Sequence, residues 1–271
     1  MDATGRALVT GASRGIGRAV ALELARRGFE VVATMRNRTD GLDLVEEAAD
    51  AGAALRVQAL DVTDPSSIRL PDELKVLVNN AGVEREHPPF EATPMELWRS
   101  MFETNVFGLI DVTRQAIPAL RRAGGGVLCN VTSSSILAPV PFYAPYRASK
   151  AAVSALGESL RAELAPFGIR VLEIMPGPID TDMLAGSANA PEAIEDPDYR
   201  AMAQRYFEGR TAVEDQKTSA VDAGRAIVDA ILDDDAPLRV ACDPLASGLL
   251  DGWRAGSDES LMQAMLPTWT G

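Results

Sequence analysis

The feature that most restricts this chain is an alternation that begins with its first residues. Short apolar, β-rich runs take turns with longer segments of helical periodicity. Ala7-Leu8-Val9-Thr10 reads as a buried strand. Gly15 to Arg27 follows as a helix, with Ile16, Val20, Leu22 and Leu24 as an inward stripe and Gly28 ending it. Further strands are expected at Val31–Thr34, Leu55–Leu60, Val76–Asn79, Val127–Val131, Ile169–Met175 and Leu238–Cys242. Helical patterns are expected over Glu96–Arg122, Ala144–Ala165 and Ala220–Leu232. Strands that are apolar throughout, separated by helices, imply a parallel sheet covered on both faces. The expectation is an α/β, doubly wound parallel sheet in one domain spanning residues 1–271. Residues 179–216, with Pro191 and Pro197 and many charges, depart from the rhythm and read as a substrate-side flap within that domain.

Composition narrows the class of partner. Across 271 residues the formal net charge is −13, which repels a phosphate backbone and argues against nucleic acid. Cys129 and Cys242 are far apart with no metal-ligand spacing, so neither a disulfide framework nor a metal site is expected. Met1 to Arg6 has no signal-peptide character, and no apolar run reaches the ~18 residues of a membrane span. A soluble, cytoplasmic protein is expected, with no membrane partner. His87, the one histidine, reads as an exposed structural residue.

Between the first strand and first helix stands Thr10-Gly11-Ala12-Ser13-Arg14-Gly15-Ile16-Gly17. Gly11 permits a tight turn, Gly15 lets the main chain approach a pyrophosphate, and Gly17 lets helix and sheet pack closely. The helix N-terminus then offers free N–H groups to phosphate. The order strand, glycines, helix favours dinucleotide binding over a merely flexible turn. The second strand ends in Met35-Arg36-Asn37-Arg38, with no carboxylate before Asp40 to hold a ribose 2′-hydroxyl. Arg14 and Arg36 suit a 2′-phosphate, with Arg38 a third candidate, so NADP(H) is favoured over NAD(H). Solvated surface arginines are the alternative, since 23 of the 26 basic residues are Arg. Asp61 and Val62 follow the third strand; Asp61 either bonds an adenine amino group or caps its own turn.

Tyr146-Arg147-Ala148-Ser149-Lys150 places a phenol and an ammonium one helical turn apart. An unperturbed phenol titrates near ~10, and a neighbouring cation lowers that value, so Tyr146 is a candidate general acid and base. Lys150 is one of three lysines in a chain that otherwise uses Arg. A surface Tyr and Lys on an amphipathic helix is the competing reading.

Thr10 to Gly17, Asn79-Asn80-Ala81-Gly82, Asn105, Ser133 and Tyr146 to Lys150 together resemble the short-chain dehydrogenase/reductase family in its compact single-domain branch. The resemblance covers Gly5 to Thr181. It implies a Rossmann-type sheet and hydride transfer between NAD(P) and a carbonyl or alcohol. By that likeness Tyr146 exchanges the proton, Lys150 lowers its pKa and binds the nicotinamide ribose, and Asn105 holds a relay water. Ser133, chosen within Thr132 to Ser135 by its spacing to Tyr146, binds the substrate oxygen. Asn79, Ala81 and Gly82 are expected along the cofactor. Pro176, Gly177, Ile179 and Thr181 are expected beneath the nicotinamide. The segment from Pro237 through Leu266 is loosely similar to hydroxysteroid or retinol dehydrogenase-like members.

The substrate walls are expected from Leu137, Val140, Phe142 and Tyr143 after Ser133, and from Met183, Leu184 and Tyr206 in the flap. That lining implies a hydrophobic ketone, aldehyde or secondary alcohol as the small-molecule partner, a steroid among the candidates. Small residues on the helices, including Ala148, Ala151, Ala152 and Ala155, imply a homodimer or homotetramer. A non-catalytic NADP(H)-binding sensor or regulatory protein is the alternative function.

Overall fold

Each apolar run forms a strand because both of its faces find a cover. In the first strand Ala7 and Val9 pack on one side of the sheet and Leu8 on the other, all fully buried. The computed structural model describes residues 1–85, 88–186, 191–213 and 216–270; the expectation for His87 lies outside the described residues. In chain order the elements are β1 (Arg6–Val9), α1 (Gly15–Arg27), β2 (Glu30–Met35), α2 (Leu42–Asp50), β3 (Leu55–Ala59) and β4 (Val76–Asn79). There follow α3 (Met95–Phe102), α4 (Leu109–Arg122), β5 (Gly126–Val131), α5 (Ala144–Leu164) and β6 (Ile169–Met175). The last part holds β7 (Ile179–Asp180), α6 (Asp182–Gly186), α7 (Arg200–Ala212), β8 (Thr218–Ser219), α8 (Ala220–Leu232), β9 (Arg239–Ala241), α9 (Pro244–Ala255) and α10 (Asp258–Thr270).

The seven-stranded sheet runs β3-β2-β1-β4-β5-β6-β9, and every pair is parallel. This is the Rossmann-type α/β fold that the alternation implies. Residues of α1, α2 and α8 bury one face, with Leu24, Leu44 and Ile227 fully enclosed. Val112, Ala116 and Leu120 of α4 and Leu164 of α5 cover the other. Strand order reverses between β1 and β4, and such a switch point leaves a crevice at the carboxyl ends of the strands.

Two departures from the expected elements bear on function. The helix expected over Glu96–Arg122 is interrupted by a π-helical turn, Glu103–Gly108, which carries Asn105. The flap is pinched at its base, because Ile179 and Asp180 pair with Thr218 and Ser219 in a separate parallel ribbon.

Candidate active site

The glycine loop is built by close approach. At Gly11 φ is +64°, and a Cβ there would lie 2.9 Å from Ala81 Cα. A Cβ on Gly17 would lie 2.3 Å from Asn80 Nδ2 and 2.4 Å from the Gly11 carbonyl oxygen. Asn80 Nδ2 donates to the carbonyls of Thr10 and Gly11 at 2.9 and 3.0 Å, while the Thr10 hydroxyl accepts from the N–H groups of Asn80 and Ala81. The first turn of α1 has no acidic residue, so its positive end is left to the cleft.

A cleft of about 660 Å³ runs from this loop along the switch point. Gly11, Ser13, Arg14, Gly15, Ile16 and Arg36 line its first part. Ser13, Arg14, Arg36 and Asp40 also enclose a smaller recess, so both expected arginines reach one place. Arg38 is not among these lining residues. Arg14 lies 3.3 Å from Asp182 with both side chains largely exposed, a pair weak enough to yield to a stronger anion. Asp61 and Val62 line the cleft too, although Asp61 Oδ1 accepts from both the N–H and hydroxyl of Thr63 and thereby caps its turn.

Asn79 must be corrected. Strand alternation turns it into the sheet, where Nδ2 donates to Thr113 Oγ1 and Asn130 Oδ1 at 2.8 and 3.0 Å. Its neighbour Asn80 lines the cleft in its place, with Ala81 and Gly82. Gly17 supports the loop from behind and does not line the cleft. Across from the glycines, Pro176, Gly177, Ile179 and Thr181 form the floor. A residue that the sequence left unremarked holds this floor in place. Asp243, almost fully buried, accepts from Gly177 N–H at 2.7 Å through Oδ2 and from Ala246 N–H at 2.9 Å through Oδ1. One carboxylate thus ties the start of α9 to the floor segment.

At the center Ser133, Tyr146 and Lys150 meet on the cleft wall. Ser133 Oγ accepts from Ser135 N–H at 3.2 Å. Lys150 Nζ donates to the Val131 carbonyl at 3.0 Å and lies 5.7 Å from the Tyr146 ring center. A Cβ on Gly82 would sit 3.3 Å from Asn105 Oδ1 and 3.4 Å from Lys150 Nζ, so both groups face this glycine. Asn105 is buried and braces the loop after β4: Oδ1 accepts from Val83 N–H at 2.8 Å, and Nδ2 donates to Val83 O and Ser149 Oγ.

The expected lowering of the Tyr146 pKa by Lys150 is not what this geometry produces. Burial pushes the phenol well above its ordinary value, the Glu84 carboxylate adds to this, and the Ser133 hydroxyl and Arg210 charge oppose it. Lys150 is itself brought down by burial to about 8, with Glu84 acting against the fall. For both groups desolvation of the charged form is the largest cause of the shift.

At the end of the cleft away from the glycine loop, Tyr143, Val140, Met183, Leu184 and Tyr206, all expected as substrate walls, line it. Leu137 and Phe142 do not. Leu137 turns into a separate core with Met175 and Leu250. Phe142 adopts a left-handed φ of +65° and buries its ring against Tyr199 and Tyr206, each at 6.0 Å. Glu84, Arg210 and Trp269 are among the wall residues that the sequence did not mark. Trp269 Nε1 donates to Pro139 O at 2.8 Å, which docks α10 beside the site.

The model of the short chain dehydrogenase family matches residues 6–192, which include the glycine loop, Ser133, Tyr146 and Lys150. The chain belongs to this family. An oxidoreductase of Bacillus subtilis, YusZ, is 42% identical over 191 residues, 67% of this chain and 67% of the relative. Estradiol 17-beta-dehydrogenase 2 of Rattus norvegicus is 34% identical over 198 residues, 69% of this chain and 51% of the relative. A crystal structure of a short-chain dehydrogenase from Burkholderia cenocepacia, in complex with NADP, superposes with a TM-score of 0.77 at 29% identity, over 98% of this chain and 99% of that one. As a family member the chain is an NAD(P)-binding oxidoreductase acting between alcohols and carbonyls. Among the described residues no helix is long and apolar enough to cross a membrane.

Proposed function

We propose that the chain is an NADP(H)-dependent oxidoreductase that interconverts a largely apolar ketone or aldehyde and its alcohol, with Tyr146 as general acid and base. The observation that carries this is the meeting of Ser133, Tyr146 and Lys150 on one cleft wall, with buried Lys150 one helical turn from buried Tyr146. Bound NADPH would supply hydride to the carbonyl carbon. Ser133 orients the carbonyl oxygen, and the Tyr146 phenol, held protonated by its burial, delivers a proton to it. Lys150 is still mainly cationic at neutral pH and offers its ammonium toward the ribose side of the cleft. Asn105 keeps the loop after β4, and with it Gly82, against Lys150.

The residues proposed to hold the cofactor are Gly11, Ser13, Arg14, Gly15 and Ile16 at the phosphates, and Asp61, Val62, Ala81 and Gly82 along the adenosine and ribose. Pro176, Gly177, Ile179 and Thr181 serve at the nicotinamide. The shared recess of Arg14 and Arg36 supports NADP(H) over NAD(H), because two guanidinium groups suit a 2′-phosphate and outnumber the one carboxylate there, Asp40. The NADP-bound Burkholderia relative is in keeping with this. A fused-ring alcohol remains within the proposal, supported by the estradiol dehydrogenase relative. The exposed Ala151, Ala155 and Phe107 on α5 and the π-helical turn support a homodimer or homotetramer. Tyr146→Phe tests the chemistry: turnover falls by about 10²–10⁴ while NADPH still quenches tryptophan fluorescence. Undiminished carbonyl reduction by that variant would refute the assignment.

A further inference from the structure

The substrate end of the cleft is less apolar than its methionines and leucines suggest. Glu84, just after β4, and Arg210, on α7, line it beside Tyr143 and Tyr206. The Tyr143 hydroxyl donates to Glu84 Oε1, and the Tyr143 and Tyr206 ring centers lie 5.9 Å apart. The Arg210 guanidinium carbon is 5.9 Å from the Tyr143 ring center. The Tyr143 ring stands edge-on to Tyr146, with 5.8 Å between centers and 87° between planes. These groups therefore begin one ring away from the phenol assigned to proton transfer. Their proximity also shows in the phenols of Tyr143, Tyr146 and Tyr206, each of which Glu84 pushes up and Arg210 pulls down.

What ligand suits such a wall? Glu84 stands against Arg210 and the exposed Arg85, so a bound ion of either sign meets a like charge. A pure hydrocarbon laid against them would strip water from half-buried polar groups and return no hydrogen bond. A neutral hydroxyl both donates and accepts, so it can serve the carboxylate, the phenols and the guanidinium alike.

On these grounds we infer that the substrate is a neutral carbonyl or alcohol compound carrying a second hydroxyl group, which the cluster of Glu84, Tyr143, Tyr206 and Arg210 holds about one ring away from the reacting carbon. This rests on the oxidoreductase reading above and narrows its substrate class. The four residues come from the segment after β4, the entry to α5 and helix α7, so the discriminating wall exists only when α7 is seated over the cleft.

The test is steady-state NADPH oxidation by the full chain with shape-matched ketones: 4-hydroxycyclohexanone against 4-methylcyclohexanone, and 7-hydroxyheptan-2-one against octan-2-one. The hydroxylated member of each pair is expected to lead by about tenfold or more in kcat/KM. Glu84→Gln should bring that ratio near unity while the Kd for NADPH, read by tryptophan quenching, stays the same. Arg210→Met is a second variant, with the same collapse expected, should Glu84→Gln fail to fold. Equal kcat/KM within both pairs overturns the inference and leaves the oxidoreductase reading standing. A lead by 4-oxocyclohexanecarboxylate over the hydroxyketone overturns the neutral assignment. NADPH binding with no turnover of any ketone overturns the oxidoreductase reading, and this inference with it.

Discussion

The two ends of the cleft are made differently. The cofactor end is backbone at close quarters: Gly11 against Ala81, Gly17 against Asn80, and the free end of α1, all set on adjacent strands β1 and β4. The substrate end is side chains brought from far apart: Glu84 after β4, Tyr143 before α5, Tyr206 and Arg210 on α7, and Trp269 on α10. The first tolerates almost no added atom, while the second can exchange residues and still close. A shared scaffold can thus keep one cofactor and vary its substrates, because only the second end lies outside the sheet.

The sharpest break of this contrast is at Gly17. An alanine there must displace Asn80 or the Gly11 carbonyl, so Gly17→Ala should abolish NADPH binding in a fluorescence titration and cost about 1–3 kcal/mol in urea unfolding. Retained tight binding would mean that the loop is more compliant than its contacts indicate. Next, Arg36→Ala should weaken NADPH by roughly ten- to hundredfold and leave NADH within a small factor, as measured by paired titrations. Equal losses for both nucleotides would count against a 2′-phosphate site.

At the other end Trp269→Ala removes the anchor of α10. It should change KM for a carbonyl substrate by only about three- to tenfold, with an unaltered Kd for NADPH. A comparable loss of cofactor affinity would erase the division between the two ends.

The smallest effect is expected at Lys150, and its sign follows from linkage. Burial lowers the lysine from 10.5 to about 8, so between these values the unfolded chain binds more protons, and folding is favored as pH rises through that window. Below about 8 the cost of the buried cation is fully present. Lys150→Met should therefore raise the Tm of the cofactor-free protein at pH 7 by roughly 2–4 °C, an advantage that disappears near pH 10.5 even though turnover is lost. A lower Tm at pH 7 would show that the bond to Val131 O outweighs desolvation.

How legible each residue was in the sequence follows the same division. The strands, the glycine loop and the Tyr146–Lys150 pair are written as contiguous patterns, because hydrogen-bond periodicity and helical spacing are local. Asn79 ends β4 and bonds Thr113 and Asn130 beside it, while Asn80, the first residue beyond the strand, meets the cleft at the strands' carboxyl ends; motif spacing alone does not separate the two. Leu137 and Phe142 differ for another reason: Leu137 closes a short 3₁₀ turn, Ser134–Leu137, that packs it against Met175 and Leu250, and Phe142 is itself left-handed, neither of which an apolar pattern announces. Asp243 reads only as a cap of α9 three residues from Ala246, because its other partner, Gly177, and the Pro139 partner of Trp269 lie far along the chain.

By itself the sequence determined the sheet, its covering helices and the cofactor chemistry, because each depends on neighbours within a few residues. Only the tertiary structure decided which groups face the substrate and how far burial shifts Tyr146 and Lys150. Those depend on distances between segments, and on the water excluded when α7 and α10 close the cleft.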